Sequence, residues 1–287
     1  MKDSKVLSAE ERKALVLQKV EQYCVMDDVF MRQVFKDDMP LTQHVLRIIT
    51  GIGDLVLKKS ETQRDIKSLV GSRSVILDVF GVDSKGKRYD LEVQNGNSVD
   101  PKRMRYYSAA MDVEYLKPEQ DFSALPEQWV VFVMESDEEA QGRGARLFEN
   151  RDALTGDAFD DGTHKLVVNG AYRGEDELGH LMADFCQPDP AKIKDALLRK
   201  RVQYLKDSAK GVDQMSSASE ELFNWGRDEG LKEGRDEGLK EGRDEGLRQG
   251  MLNNVRSLME TVGWSAQEAL DKLKVPKAEQ ARYLSML

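Results

Sequence analysis

SVILDVFGVDSKGKRYDLEVQ, residues 74–94, alternates apolar and polar side chains on both sides of a turn signal, Asp83-Ser84-Lys85-Gly86-Lys87. The pattern predicts two short strands joined by a tight turn. In a three-residue loop of Ser84, Lys85 and Gly86, the glycine takes the last position, which often needs positive φ. Asp83 then pairs with Lys87, and counting outward sets Asp78 opposite Glu92. Directly opposed β-carbons lie about 4.5–5.5 Å apart, and like charges so placed repel. A divalent cation shared by the two carboxylates would offset that repulsion, because hard cations such as Mg²⁺ favour oxygen ligands. Alternation places Ile76 and Phe80 on the face of Asp78, and Asp90 and Gln94 on the face of Glu92. Val75, Leu77, Val79, Leu91 and Val93 make the opposite, wholly apolar face. A half-exposed hairpin whose outer face is merely acidic fits the same pattern.

The flanking residues extend the hairpin into an α/β domain. Apolar residues at Leu41, Val45, Ile48, Ile49, Ile52, Leu55 and Val56 predict an amphipathic helix over 41–57 that packs on a sheet. A shorter helical stretch is expected over Asp27–Phe35, and a short strand over Thr62–Lys67. Asp100-Pro101 starts a helix running to about Tyr115, and QWVVFVME, residues 128–135, is a continuous apolar run suited to a buried strand. Lys165–Val168 predicts a further strand, and helices resume over about 190–206. The order helix, three strands, helix, strand describes an α/β fold. Ser8-Ala9-Glu10-Glu11 reads as a capping box opening an N-terminal helix that runs to about Cys24.

The chain has 287 residues and a net charge of −9, so it holds one substantial domain plus extensions. Its two cysteines, Cys24 and Cys186, lack metal-ligand spacing and fit a reducing compartment. A signal-peptide core and an apolar run of membrane-spanning length are both missing from the sequence, so a soluble cytoplasmic protein with no membrane partner is expected. The acidity is uneven. Lys58–Tyr107 carries 11 Lys/Arg against 7 Asp/Glu, whereas Glu135–Asp189 carries 5 against 14. A polyanionic substrate at the hairpin is therefore compatible with an acidic chain, as is ordinary surface charge.

Residues 207–220 are polar and read as a linker. The unit GRDEGLKE then recurs, with glycine at 226, 230, 234, 238, 242, 246 and 250. Each glycine costs about 0.8–1.0 kcal/mol against alanine inside a helix. Two readings stay open: a marginal helix or solvated linker, and a helix stabilised by self-association along its glycine stripe. The final segment carries a capping box at Ser265–Glu268 and a proline helix start at Pro276. Its small apolar set suits packing against a partner or a second copy.

With Asp78, the glycine-turn hairpin and Glu92-x-Gln94 in place, the chain resembles the PD-(D/E)XK nuclease family transposases, also called the recombination-promoting nuclease (Rpn) family. Further residues carry the likeness: Asp28–Phe35, Arg73–Asp78, Tyr89–Gln94, Lys102–Tyr107, Phe148–Arg151, Asp161–Lys165 and the glycine-acid-glycine tail. The resemblance covers roughly residues 25–205. It implies a restriction-endonuclease-like core, a central mixed sheet flanked by helices, with a C-terminal helical, glycine-repeat extension. The implied boundaries are an N-terminal helix over 1–25, a nuclease-like domain over 26–206, a linker and GxxxG-repeat segment over 207–250, and a helical appendage over 251–287. The implied activity is Mg²⁺- or Mn²⁺-dependent cutting of DNA, linked to recombination, mobile elements or defence. Asp78 and Glu92 would be the metal ligands, and Gln94 the third catalytic residue, standing where most of the superfamily has lysine. Glutamine can orient water or substrate but supplies no cation. Arg103, Arg105 and Tyr106 would contact the substrate, against the plainer readings of solvated charge and helix packing. The alternative is a nucleic-acid-binding or interaction protein that keeps the fold without efficient catalysis. Self-association through the C-terminal repeat and helices is a further expectation.

Overall fold

Asp-led helix starts frame the N-terminal part of the domain. In the computed structural model, which describes residues 18–66 and 75–287, helix α1 spans Asp28–Phe35 and buries Phe30, Met31, Val34 and Phe35. Helix α2, Met39–Thr50, opens where Asp38 accepts the Leu41 N–H at 3.1 Å, and it buries Leu41, Val45, Leu46 and Ile49. It stops earlier than its apolar spacing suggests, because Gly51 adopts a left-handed φ of 72° and ends it. Leu57 instead begins strand β1, Leu57–Ile66, whose first N–H donates to Gln43 Oε1 at 2.9 Å. The expected capping box at Ser8–Glu11 lies outside the described residues, as do Lys67, Arg73 and Ser74.

Strands β2, Val75–Asp83, and β3, Arg88–Gln94, form the antiparallel hairpin. Its turn follows the sequence expectation: Asp83 N–H donates to Lys87 C=O at 3.0 Å, and Gly86 has φ +84°. Helix α3, Pro101–Tyr115, is capped by Asp100 and leads to β4, Gln128–Met134, every residue of which is buried. The crossover makes β4 parallel to β3, with Glu92 beside Phe132. Strand β5, Ala145–Phe148, and strand β6, Thr163–Asn169, complete a mixed six-stranded open sheet in the order β1-β2-β3-β4-β6-β5. Two elements escape the sequence pattern: the edge strand β5 and helix α4, Glu177–Phe185. Helix α5, Ala196–Asp207, follows.

Helices cover both faces of the sheet. Val79, Leu91, Val93, Val131, Val133 and Val168 pack with apolar residues of α1, α2, α4 and α5. On the other face, Phe80, Val130, Phe132 and Val167 pack with Met104 and Met111 of α3. Arg88 fixes α3 over the strands, donating to Met111 C=O and to Glu114 Oε2 at 2.6 Å each. The hairpin's expected alternation fails at one place. Val75 and Leu77 join Ile66 in the same cluster as Phe80, and Ile76 is 50% exposed. The wholly apolar face predicted for Val75, Leu77 and Val79 therefore breaks between Leu77 and Val79, at Asp78.

Residues expected to form a linker, together with the glycine repeat, belong to one helix, α6, Ala209–Val262. Arg, Lys, Glu and Leu between the glycines are strong helix formers and counter their cost. The chain divides into two compact units, one ending at Glu221 and one spanning Leu222–Leu287. In the second unit, helices α7, Ala266–Lys272, and α8, Lys277–Leu284, enclose a small core around Val255, Leu270 and Val275. The Ser265–Glu268 capping box forms as read. Among the described residues no helix is long and apolar enough to cross a membrane.

Candidate functional site

Asp78 sits where β2 loses regular pairing on both sides. The ladder to β3 runs from Val82↔Arg88 to Val79↔Leu91, so the next step sets Asp78 against Glu92. There the strands part, and the Asp78 N–H donates to the Glu92 carboxylate, Oε1, at 2.8 Å instead of to a backbone carbonyl. On the other side the ladder passes from Thr62↔Val79 to Arg64↔Leu77. Between them Gln63 takes φ +55°, and its Nε2 donates to Asp78 Oδ1 at 3.1 Å. A left-handed non-glycine residue costs about 1–2 kcal/mol, and such strain concentrates at functional sites. Asp78 is thus held by a strained neighbour and a neighbour's carboxylate.

The acids are buried, and the charged groups that face them are part-exposed. Asp78, Glu92 and Asp90 are 7%, 1% and 0% exposed. Arg32, paired with Asp28 at 2.8 Å, reaches to 4.0 Å from Asp78 Oδ1. Arg103 lies 3.4 Å from Glu92 Oε2, donates to Gln94 Oε1 at 2.8 Å, and donates to the Tyr107 hydroxyl at 2.8 Å. Gln94 Nε2 is 3.5 Å from Glu92 Oε2. Four carboxyl groups therefore share two guanidiniums. Burial, and then the charge of Asp28, pushes Asp78 up to about 6. Burial, and then the charge of Asp78, pushes Glu92 up to about 8. Burial holds Asp90 well above the usual carboxylate range, with Glu92 adding to it. Both Asp90 oxygens are buried without a hydrogen-bond donor. A carboxyl that keeps its proton in such a place is the expected response.

Asp78, Glu92, Gln94 and Arg103 are thus brought together. Arg105 is exposed and lines a separate groove, and Tyr106 is exposed at the next position of the helix. Sequence reasoning missed Gln63, Arg32 and Tyr107 as members of the cluster, and it read Asp90 only as a face-mate of Glu92. Asp90 offered a signal, since it stands two residues before Glu92 on the same strand face. Gln63 offered none, because its contact depends on a backbone conformation within the polar run 58–65 of β1.

The chemistry of the donor set suits one class of ion. Among the described residues no group of three or more His, Cys, Asp or Glu side chains is placed to hold a metal ion. Two carboxylates alone suit Mg²⁺, which keeps several waters and is commonly held by one or two carboxylates plus substrate phosphates. The excess of buried acid over guanidinium is what such a cation would neutralise. Compared with known proteins, the chain matches no family model, no curated protein and no solved structure.

Proposed function

We propose that the protein is a Mg²⁺-dependent DNA endonuclease hydrolysing phosphodiester bonds, with a restriction-endonuclease-like core of the kind its likeness to the Rpn family implies. The observation that carries this reading is the buried Asp78–Glu92 pair at the point where β2 leaves β3, with both carboxyls pushed towards neutrality by burial. Asp78 and Glu92 would hold the cation, Mg²⁺ or Mn²⁺. When bound, such an ion lowers the pKa of water and offsets charge on a phosphoryl group.

The protein's own groups divide the remaining work. Gln94 accepts from Arg103 and is turned towards Glu92, so its amide is held in one orientation beside the pair. Arg103 supplies next to Gln94 the positive charge that glutamine lacks, and Tyr107 accepts from that guanidinium and steadies it. The guanidinium fork suits a phosphate oxygen. Burial holds the Asp90 carboxyl well above the usual carboxylate range, which reduces the repulsion it adds.

The test is incubation of purified protein with supercoiled plasmid and Mg²⁺. Nicking is expected in the wild type and lost in Asp78→Ala and Glu92→Ala. Nicking that persists unchanged in both variants removes these residues from the active site. A second reading, a nucleic-acid-binding or interaction protein without efficient catalysis, draws on one observation: the position of the usual lysine holds Gln94, already bonded to Arg103. Metal-independent DNA binding with no cutting under several divalent metals favours it, and strong Mg²⁺-dependent cutting removes it.

A further inference from the structure

A groove of about 300 Å³ opens between the first turn of α3 and the β5–β6 pair. Lys102, Arg105 and Lys165 line it, with Phe148, Glu149 and Asn150. Lys102 and Arg105 are three residues apart on α3 and so are neighbours on its surface. Lys165 pairs with Phe148 across the β5–β6 ladder. It also stands in register with Asp90 through Val130 of β4. Two strand spacings of about 4.8 Å separate Lys165 from Asp90 along that row, on one face of the sheet. The groove therefore begins about 10 Å from the acid cluster.

The charges in the groove are unequally engaged. Glu149 is held by His164, whose Nδ1 lies 2.9 Å away, and by Arg151 at 3.3 Å. Asn150 donates to Asp161 at 2.7 Å. Lys102, Arg105 and Lys165 form no ion pair among the described residues. Asp112 interacts electrostatically with Lys165 without forming an ion pair with it. Arg146 stands 5.1 Å over the Phe148 ring, which is still 44% exposed. Three unpaired cations beside an exposed aromatic ring make up the two components of a single-strand track, one for phosphates and one for a base.

The geometry points to this groove as the seat of a DNA strand running on from the carboxylate cluster, with Lys102, Arg105 and Lys165 on its phosphates and Phe148 stacked on a base. The inference rests on the endonuclease reading and adds the substrate contacts remote from the cut.

The experiment measures binding of full-length protein to labelled DNA oligonucleotides without divalent metal, so that cutting cannot intervene. For the variant Lys102→Gln/Arg105→Gln/Lys165→Gln, affinity should fall at least about tenfold at about 100 mM salt. The slope of log affinity against log salt should become shallower by about 2–3. Phe148→Ala should weaken single-stranded binding about tenfold while keeping the wild-type slope. Melting curves verify that the variants are folded. A triple variant with wild-type affinity and slope overturns the proposal, as does a wild type that binds no DNA or only RNA. Plasmid cutting with Mg²⁺ separates the two ideas. Groove-dependent binding without cutting leaves the groove and removes the endonuclease, whereas cutting with groove-independent affinity does the reverse.

Discussion

Glu92→Gln removes one charge from the acid cluster while leaving an oxygen to accept the Asp78 N–H, which Glu92 binds at 2.8 Å. Burial and Asp78 raise the Glu92 carboxyl from 4.5 to about 8. Between those values the folded protein holds a proton that the unfolded chain has released. Stability therefore falls as pH rises through this window and levels off above the folded value. At about 1.36 kcal/mol per pH unit, the step corresponds to a ceiling of about 5 kcal/mol for Glu92. Solvent reaching the parted strands and rearrangement of Arg103 reduce this, so about 2–3 kcal/mol is expected in measurement. For a domain of this size that is about 4–12 °C in Tm. The assay is thermal unfolding at about pH 5.5 and about pH 8.5, with and without Mg²⁺. The metal-free wild type should lose stability between the two, and Glu92→Gln should lose much less. Mg²⁺ should restore the wild type at the higher pH and do little for the variant. A Glu92→Gln protein less stable than wild type at high pH without metal would refute the claim that the ionised acid is held there at a cost.

Gly86→Ala should destabilise by about 1–2 kcal/mol, because φ at that turn is +84° and the space around it is otherwise open; chemical denaturation measures it. Arg146→Met should cost about 3 kcal/mol in the same experiment. The reason is that Asp137, with its side chain 1% exposed, would lose a two-pronged partner at 2.7 and 2.9 Å. If residues 226–287 drive self-association, deleting them should lower the solution mass in multi-angle light scattering, and an unchanged mass rejects that role.

The legible parts of this molecule are those set by local pattern. The turn glycine fixed the pairing of Asp83 with Lys87, and from it the approach of Asp78 to Glu92, by counting alone. Asp100-Pro101 fixed the start of α3, and so the height of Arg103 above the sheet. Two residues further on, a turn of about 200° carries Arg105 to another side of the helix from Arg103, and there it lines a separate groove. The illegible parts depend on contacts distant in sequence. Gly179 argues against a helix at α4, yet a side chain there would clash with the Gly174 C=O, so close approach, not flexibility, explains the glycine. Strand β5 is four residues long and shows no clear alternation. The glycine repeat was weighed by its penalties, and the helix-forming residues between them proved the larger influence over Ala209–Val262.

The bond from the Asp78 amide to Glu92 gives the site a built-in spectroscopic probe. Most amides in a sheet sense only the carbonyl across the ladder. This one senses whether a particular carboxyl is protonated, ionised or drawn towards another charge. In a ¹⁵N–¹H spectrum the Asp78 cross-peak should therefore trace the titration of Glu92, and should shift again when a ligand competes for that oxygen. The irregularity that spoils the strand's alternation thus makes the state of the acid pair observable from the backbone, without a substrate.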